Sequence, residues 1–110
     1  MIHMNIIEEI NKLKRESGET NPNYVFTHGK CYEFAKKLKE TIGGEIVYLI
    51  EEEHAVVKLG DKIYDVTGNV TNAYKNSKRI SEAEMLHRYE YYKGNKGVYE
   101  KGRTSFNKTI

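Results

Sequence analysis

A short hairpin in the middle of the chain constrains its fold more than any other feature. Residues 54–59 and 62–66 are rich in β-branched and aromatic side chains, as strands are. Gly60-Asp61 between them is typical of the two-residue turn that joins antiparallel strands. A further strand is predicted over residues 45–50, so we expect a short antiparallel sheet in the middle of the chain.

The two-residue turn also sets the register of the hairpin. Counting outward from Gly60-Asp61 places Val56 opposite Asp65. Side chains two apart on a strand share a face, so His54 lies on the same face as Asp65. The two are then diagonal neighbours with Cα atoms roughly 7–8 Å apart, close enough for an imidazole and a carboxylate to form a hydrogen bond. A slip of one residue in the register would put them on opposite faces.

Apolar residues at helical spacing predict three helices, over about residues 5–16, 31–42 and 82–92. Gly43-Gly44 ends the second helix, and a capping sequence that begins at Ser81 starts the third. Helices combined with an antiparallel sheet make the expected fold class α+β.

Length and composition limit the class of protein. A chain of 110 residues fits one domain over 1–110, with a loop over 18–30 and an irregular tail over 94–110. The net charge of +2 is too small for the strongly basic face of nucleic-acid-binding proteins, so no nucleic-acid partner is predicted. No apolar run reaches the roughly twenty residues of a membrane span, and the N-terminus lacks a signal-peptide pattern. We therefore expect a cytoplasmic protein.

A bias in composition hints at the source. The chain is rich in Asn, Lys, Ile and Tyr and has no Trp. Such a bias is typical of AT-rich genomes, which include those of many phages and low-GC bacteria.

The single cysteine lies where it can act as a nucleophile. Cys31 begins the predicted second helix, where unpaired N–H groups and the positive end of the helix dipole favour a thiolate and can bind an oxyanion. His54 and Asp65, brought together by the hairpin, complete a set of nucleophile, general base and orienting carboxylate. We therefore predict Cys31, His54 and Asp65 as a catalytic triad. A buried structural cysteine is the alternative interpretation of Cys31.

Three short segments carry a resemblance to a known superfamily: GKCYEFA at 29–35, HAVV at 54–57 and IYDV at 63–66. The order of cysteine at a helix start, histidine at a strand start and aspartate on the next strand resembles compact bacterial members of the papain-like superfamily. These include NlpC/P60 peptidases, transglutaminase-like enzymes, arylamine N-acetyltransferases and papain-fold toxin domains. The resemblance spans about residues 24–68. It implies a small papain-like core in which the helix bearing the cysteine packs on a short antiparallel sheet.

The resemblance also implies a chemistry. Cys31 would attack an amide or related acyl carbonyl and form a thioester, as in a peptidase, a deamidase or an acyltransferase. Papain itself completes its oxyanion hole with a Gln before the cysteine, and this chain contains no Gln. Tyr24, His28 or Asn23 of the upstream loop is therefore predicted as a second oxyanion or substrate-binding group, with Tyr24 favoured. No cofactor is expected, and the expected partner is a protein or peptide substrate, host proteins among the candidates.

Other functions fit the same residues. A phage-encoded protein that keeps the fold without its chemistry would act by binding or inhibiting a partner. A toxin domain of the same fold would act inside a target cell. Cys31, His54 and Asp65 would also suit a zinc site with an open position, but no CxxC, HxxxH or HExxH pairing supports it.

Overall fold

The computed structural model describes residues 5–92 of the chain. In chain order its elements are α1 (Ile6–Glu16), α2 (Pro22–Val25), α3 (Cys31–Ile42), β1 (Glu45–Leu49), β2 (His54–Leu59), β3 (Lys62–Asp65), β4 (Gly68–Asn69), β5 (Arg79–Ser81), α4 (Glu82–Arg88) and a 3-10 helix (Glu90–Tyr92). The fold is α+β, as predicted. The tail expected over 94–110 lies outside the described residues.

The described strands form one antiparallel sheet in the order β4-β3-β2-β1-β5. The predicted hairpin is confirmed, since Leu59 pairs with Lys62 and Val57 with Tyr64 across a two-residue turn. Gly60 begins that turn at φ +66°, a left-handed conformation that glycine adopts at little cost. The strand parity expected from the sequence therefore holds.

Three helices cover one face of the sheet. Helix α3 lies across β2 and also contacts β1 and β3, while α1 packs on α3 and α4 packs on β1. The apolar side chains between these layers form the main core, whose most deeply buried members are Ile10, Phe26, Leu38, Tyr48, Ala55, Val57, Val66 and Met85. Because α3 packs on β2, the start of the helix at Cys31 lies next to the start of the strand.

A close approach of backbones fixes the end of α3 relative to the sheet. The helix ends at Ile42 with Gly43 as its cap, and Gly44 follows at φ +85°. A Cβ atom on Gly44 would lie 2.4 Å from the backbone oxygen of Lys58 in β2. Only glycine fits there without a shift of the backbone, which explains the Gly-Gly stop that the sequence presents after this helix.

The opposite face of the sheet carries a second, smaller apolar cluster. It is made of Val47, Leu49, Val56, Ile63 and Val70, with Tyr74 packed against it. Val70 and Tyr74 belong to the connection between β4 and β5, which lie at opposite edges of the sheet. Residues 70–78 therefore cross this second face, the face to which His54 and Asp65 belong by strand parity.

Two local features of the structure differ from the sequence predictions. The loop expected over 18–30 contains α2, a single turn that Asn21 caps by accepting the N–H of Tyr24 at 3.4 Å. Strands β4 and β5 were not predicted, because each has at most three residues.

The third helix is also shorter than expected. It begins after Ser81, whose hydroxyl oxygen accepts the N–H of Glu84 at 3.1 Å, as the capping sequence predicts. It ends at Arg88 instead of about residue 92, because Tyr89 takes an extended conformation at φ −122° and ψ 93°. This bend places the rings of Tyr89 and Tyr92 against Tyr48, with centroids 5.3 and 5.7 Å away.

Candidate active site

His54 and Asp65 form a buried hydrogen-bonded pair at the open end of the hairpin. The distance between His54 Nε2 and Asp65 Oδ2 is 2.7 Å. Only 4% of His54 and 5% of Asp65 is exposed. The pair lies on one face of the sheet, as expected from the length of the Gly60-Asp61 turn. A one-residue slip would have sent one of the two side chains into the main core.

The second carboxylate oxygen of Asp65 is held by Thr67. Asp65 Oδ1 accepts hydrogen bonds from the Thr67 N–H at 2.7 Å and from the Thr67 hydroxyl at 2.5 Å. Burial alone would raise the pKa of Asp65, but the hydrogen bonds from His54 and Thr67 outweigh it and lower the pKa below its ordinary value. Asp65 is therefore ionised at neutral pH, and its orientation toward His54 is fixed.

Cys31 lies beside this pair at the first residue of α3. It is 5% exposed, and its Sγ accepts a hydrogen bond from the N–H of Ala55 at 3.4 Å. The Cys31 side chain also lies close enough to His54 to interact with its imidazole and raise its pKa. Because Asp65 occupies Nε2 of His54, Nδ1 is the ring nitrogen left to exchange a proton with the thiol.

The two neighbours of His54 set its charge. Burial lowers the pKa of the imidazole, but its interactions with Asp65 and Cys31 raise it by more, to about 9 from an ordinary 6.5. His54 is therefore an imidazolium at neutral pH. A cation beside a cysteine favours the thiolate, the form in which cysteine acts as a nucleophile.

Tyr24 and His28 form a separate, exposed pair upstream of α3. Tyr24 is 58% exposed, and its ring stacks on that of His28 with centroids 4.0 Å apart. His28 Nδ1 lies 2.9 Å from the backbone oxygen of Tyr24 and 3.0 Å from the Thr27 hydroxyl. Asn23 contributes its backbone oxygen, which accepts a hydrogen bond from the same hydroxyl at 2.7 Å. These contacts join the upstream residues to one another, so their oxyanion or substrate-binding role stays a prediction.

Three contacts of the site were not predicted from the sequence. Thr67 follows Asp65 by two residues, a spacing at which an Asp side chain often accepts a hydrogen bond from the backbone. This contact could therefore have been predicted from the sequence. The N–H of Ala55 reaches Cys31 only because α3 packs on β2. Tyr74, whose ring centroid lies 6.0 Å from that of His54, arrives from a connection that no local pattern positions.

Metal-ligating groups and membrane segments were sought over residues 5–92. In that range, no group of three or more His, Cys, Asp or Glu side chains is arranged to hold a metal ion. Over the same part of the chain, no helix is long and apolar enough to cross a membrane.

Comparisons with known proteins place the chain in a family. Neither curated proteins nor solved structures include a significant match to it. A protein-family model described as Phage YunG-like protein matches residues 4–106, which is nearly the whole chain. This range includes both helix α3 and the hairpin that carry the cysteine, the histidine and the aspartate. The chain belongs to the Phage YunG-like protein family.

Proposed function

We propose that this protein is a cysteine-dependent enzyme that acts on an amide or related acyl bond through a thioester intermediate. The observation that carries the proposal is the placement of Cys31 at a helix start, beside a buried His54–Asp65 pair with a 2.7 Å hydrogen bond. Nucleophile, base and orienting carboxylate in this order form the set that acyl-transfer enzymes use on unrelated folds. The resemblance to papain-like enzymes supports the same assignment.

The first half of the proposed reaction forms the thioester. The Cys31 thiolate attacks the carbonyl carbon, and the new C–S bond pushes the carbonyl electron pair onto oxygen. His54 then gives its Nδ1 proton to the departing nitrogen or oxygen as the bond from carbon to that atom breaks. Asp65 keeps the imidazole oriented throughout and stabilises its positive charge.

The second half releases the acyl group. Neutral His54 takes a proton from water or from an amine, which attacks the thioester carbon. The C–S bond breaks, and Cys31 leaves as a thiolate beside the reformed imidazolium. Water as acceptor gives hydrolysis, as in a peptidase or deamidase, and an amine gives acyl transfer.

The start of α3 is proposed to stabilise the oxyanion. The first N–H groups of a helix have no partner within the helix, so the N–H of Cys31 can point toward an oxygen that develops negative charge. Tyr24 is proposed as the second group, because its hydroxyl stands on the segment that leads into α3 and its side chain is exposed. A protein or peptide is the proposed substrate, and the cytoplasm, where a thiol stays reduced, is the proposed place of action.

An acyl donor of simple structure tests the thioester step without knowledge of the substrate. The full-length protein is mixed with p-nitrophenyl acetate, and the acetyl adduct on Cys31 is followed by intact mass and peptide mapping. We expect an adduct on Cys31 that is absent in Cys31→Ala and forms at least about tenfold more slowly in His54→Ala. His87→Ala is the matched control, since His87 is an exposed histidine on α4.

The same assay separates the two forms of the second half. Loss of the adduct in buffer indicates hydrolysis, and faster loss with an added amine indicates transfer. The proposal is contradicted if Cys31 stays unacylated. It is also contradicted if His54→Ala, like the control His87→Ala, acylates at the rate of the wild type.

A second candidate function is a non-catalytic binding protein that keeps the fold. The observation in its favour is burial, since 5% of Cys31 and 4% of His54 is exposed, which restricts access of a bulky substrate. In this case the His54–Asp65 pair would act only as a structural link between β2 and β3. This candidate is tested by the acylation assay and by expressing the wild type and Cys31→Ala in host cells and comparing their effect on growth. A binding protein keeps its effect on the host in Cys31→Ala, and an enzyme loses that effect.

A further inference from the structure

Tyr74 is an aromatic side chain that lies next to His54 and has no part in the proposed reaction. Its ring centroid is 6.0 Å from that of His54, with the two planes tilted by 56°. This distance falls within the range of interacting aromatic rings, about 4.5–7 Å. Burial is the main cause that raises the pKa of the Tyr74 hydroxyl, and the negative charge of Asp65 raises it further.

The segment that carries Tyr74 is hydrogen-bonded on both sides of the ring, to strand β3 on one side and to the turn between β1 and β2 on the other. On one side, the N–H of Val70 donates to the backbone oxygen of Ile63 at 2.9 Å, and the N–H of Ile63 donates to the Thr71 hydroxyl at 2.9 Å. On the other side, the Ser77 hydroxyl donates to Glu52 at 2.7 Å. The segment is therefore held in place on both sides of Tyr74.

The cluster beneath Tyr74 is apolar except for the catalytic pair. Tyr74 packs against the second apolar cluster, of which Val56 and Ile63 are fully buried members on strands β2 and β3. His54 and Asp65 lie on the same face of these strands. The Tyr74 ring therefore lies on the side of the sheet to which this polar pair belongs.

We infer that Tyr74 is a positioning residue that shields the His54–Asp65 hydrogen bond from water and so holds the imidazole in place for Cys31. A charged hydrogen bond is stronger where water is excluded, because the local dielectric constant is lower. The aromatic ring supplies the cover. The titratable groups that act on His54 are Asp65 and Cys31, and those that act on the hydroxyl of Tyr74 are Asp65 and Glu52. The part of this inference that concerns Cys31 rests on the proposed function.

The inference is tested by exchange of the His54 ring proton with water. In full-length protein with 15N-labelled histidine, the Nε2 proton bonded to Asp65 gives a downfield NMR signal whose exchange rate is measured by saturation transfer. Removing the cover in Tyr74→Ala raises the exchange rate by at least about tenfold, because opening of the pair to water becomes easier. Tyr74→Phe keeps the ring and stays within about twofold of the wild type.

A second variant keeps the test decisive if Tyr74→Ala does not fold. Tyr74→Leu retains apolar bulk over the cluster but loses the flat ring, and we expect exchange at least about threefold faster than in the wild type. The shield is refuted if a folded Ala or Leu variant exchanges as slowly as the wild type. It is also refuted if Tyr74→Phe exchanges as fast as Tyr74→Ala, since the hydroxyl and not the ring would then matter.

The acylation assay separates failure of this inference from failure of the proposed function. If acylation depends on His54 but is unchanged in Tyr74→Ala, and the ring proton stays protected, the shield is wrong and the enzyme proposal stands. If Cys31 is never acylated while Tyr74→Ala exposes the ring proton, the enzyme proposal is wrong and the shield of the pair stands.

Discussion

The buried imidazolium of His54 makes a quantitative prediction about stability against pH. Replacing His54 by Gln keeps a polar side chain but removes the titrating group. The pKa of His54 is about 9 in the folded protein against an ordinary 6.5, and each pH unit between them is equivalent to about 1.4 kcal/mol. The interactions with Asp65 and Cys31 therefore contribute about 3 kcal/mol. Because His54 is only 4% exposed, solvent screening takes little from this figure.

The sign follows from the direction of the shift. The folded state binds the proton more tightly than the unfolded chain, so the contribution is fully present below about pH 6.5 and is lost as the pH rises through about 9. The lowered pKa of Asp65 acts on the other side, because its contribution is lost as the pH falls below the ordinary value of 3.8. The wild type is expected to gain most from this pair between these two limits.

Urea unfolding followed by circular dichroism measures this effect from about pH 6 to about pH 10. The free energy of unfolding of the wild type falls by about 3 kcal/mol more than that of His54→Gln over this range. The groups that do not contact His54 are common to both proteins, so the difference between the two curves reports His54 together with its coupling to Asp65 and Cys31. His87→Gln, which changes an exposed histidine, follows the wild type. A difference that is flat or that grows with pH would refute the assignment of a raised pKa.

Two further variants test the supports of the site. Gly44→Ala is expected to lower the free energy of unfolding by at least about 3 kcal/mol, because its Cβ would meet the backbone oxygen of Lys58 at a left-handed φ. Gly60→Ala, left-handed too but with no described atom within 4 Å of its Cβ, costs only about 1–2 kcal/mol; equal losses in urea unfolding would contradict this account. Thr67→Val removes one hydrogen bond to ionised Asp65 and is expected to cost about 1–2 kcal/mol at neutral pH. That loss shrinks in acid as Asp65 becomes protonated, and a loss independent of pH would argue against the bond.

The parts of the site that follow from local patterns were predictable. The two-residue turn at Gly60-Asp61 sets the register of β2 and β3, and parity then places His54 beside Asp65. The start of α3 at Cys31 was equally predictable, because the helical spacing of apolar residues begins there after a loop. Each of these inferences needs only a few neighbouring residues.

The parts that depend on distant pairing were not predictable. Strand β5 has three residues and pairs with β1, at least thirty positions earlier along the chain, so its own sequence carries little signal. The path of residues 70–78 across the second face follows from that pairing, and Tyr74 reaches His54 only as a consequence. The early end of α4 has the same origin, because Tyr89 leaves the helix to pack on Tyr48. In each case a tertiary contact outweighs local propensity.

Reactivity of Cys31 toward iodoacetamide tests the central claim most directly. The alkylation rate is followed by intact mass against pH in the wild type, in His54→Ala and in His87→Ala. A thiolate paired with the His54 imidazolium predicts that, at about pH 6, the wild type and His87→Ala react at least about tenfold faster than His54→Ala. Equal rates in all three proteins, or a Cys31 that does not react while the protein is folded, would contradict a working cysteine–histidine pair and favour the non-catalytic binding protein.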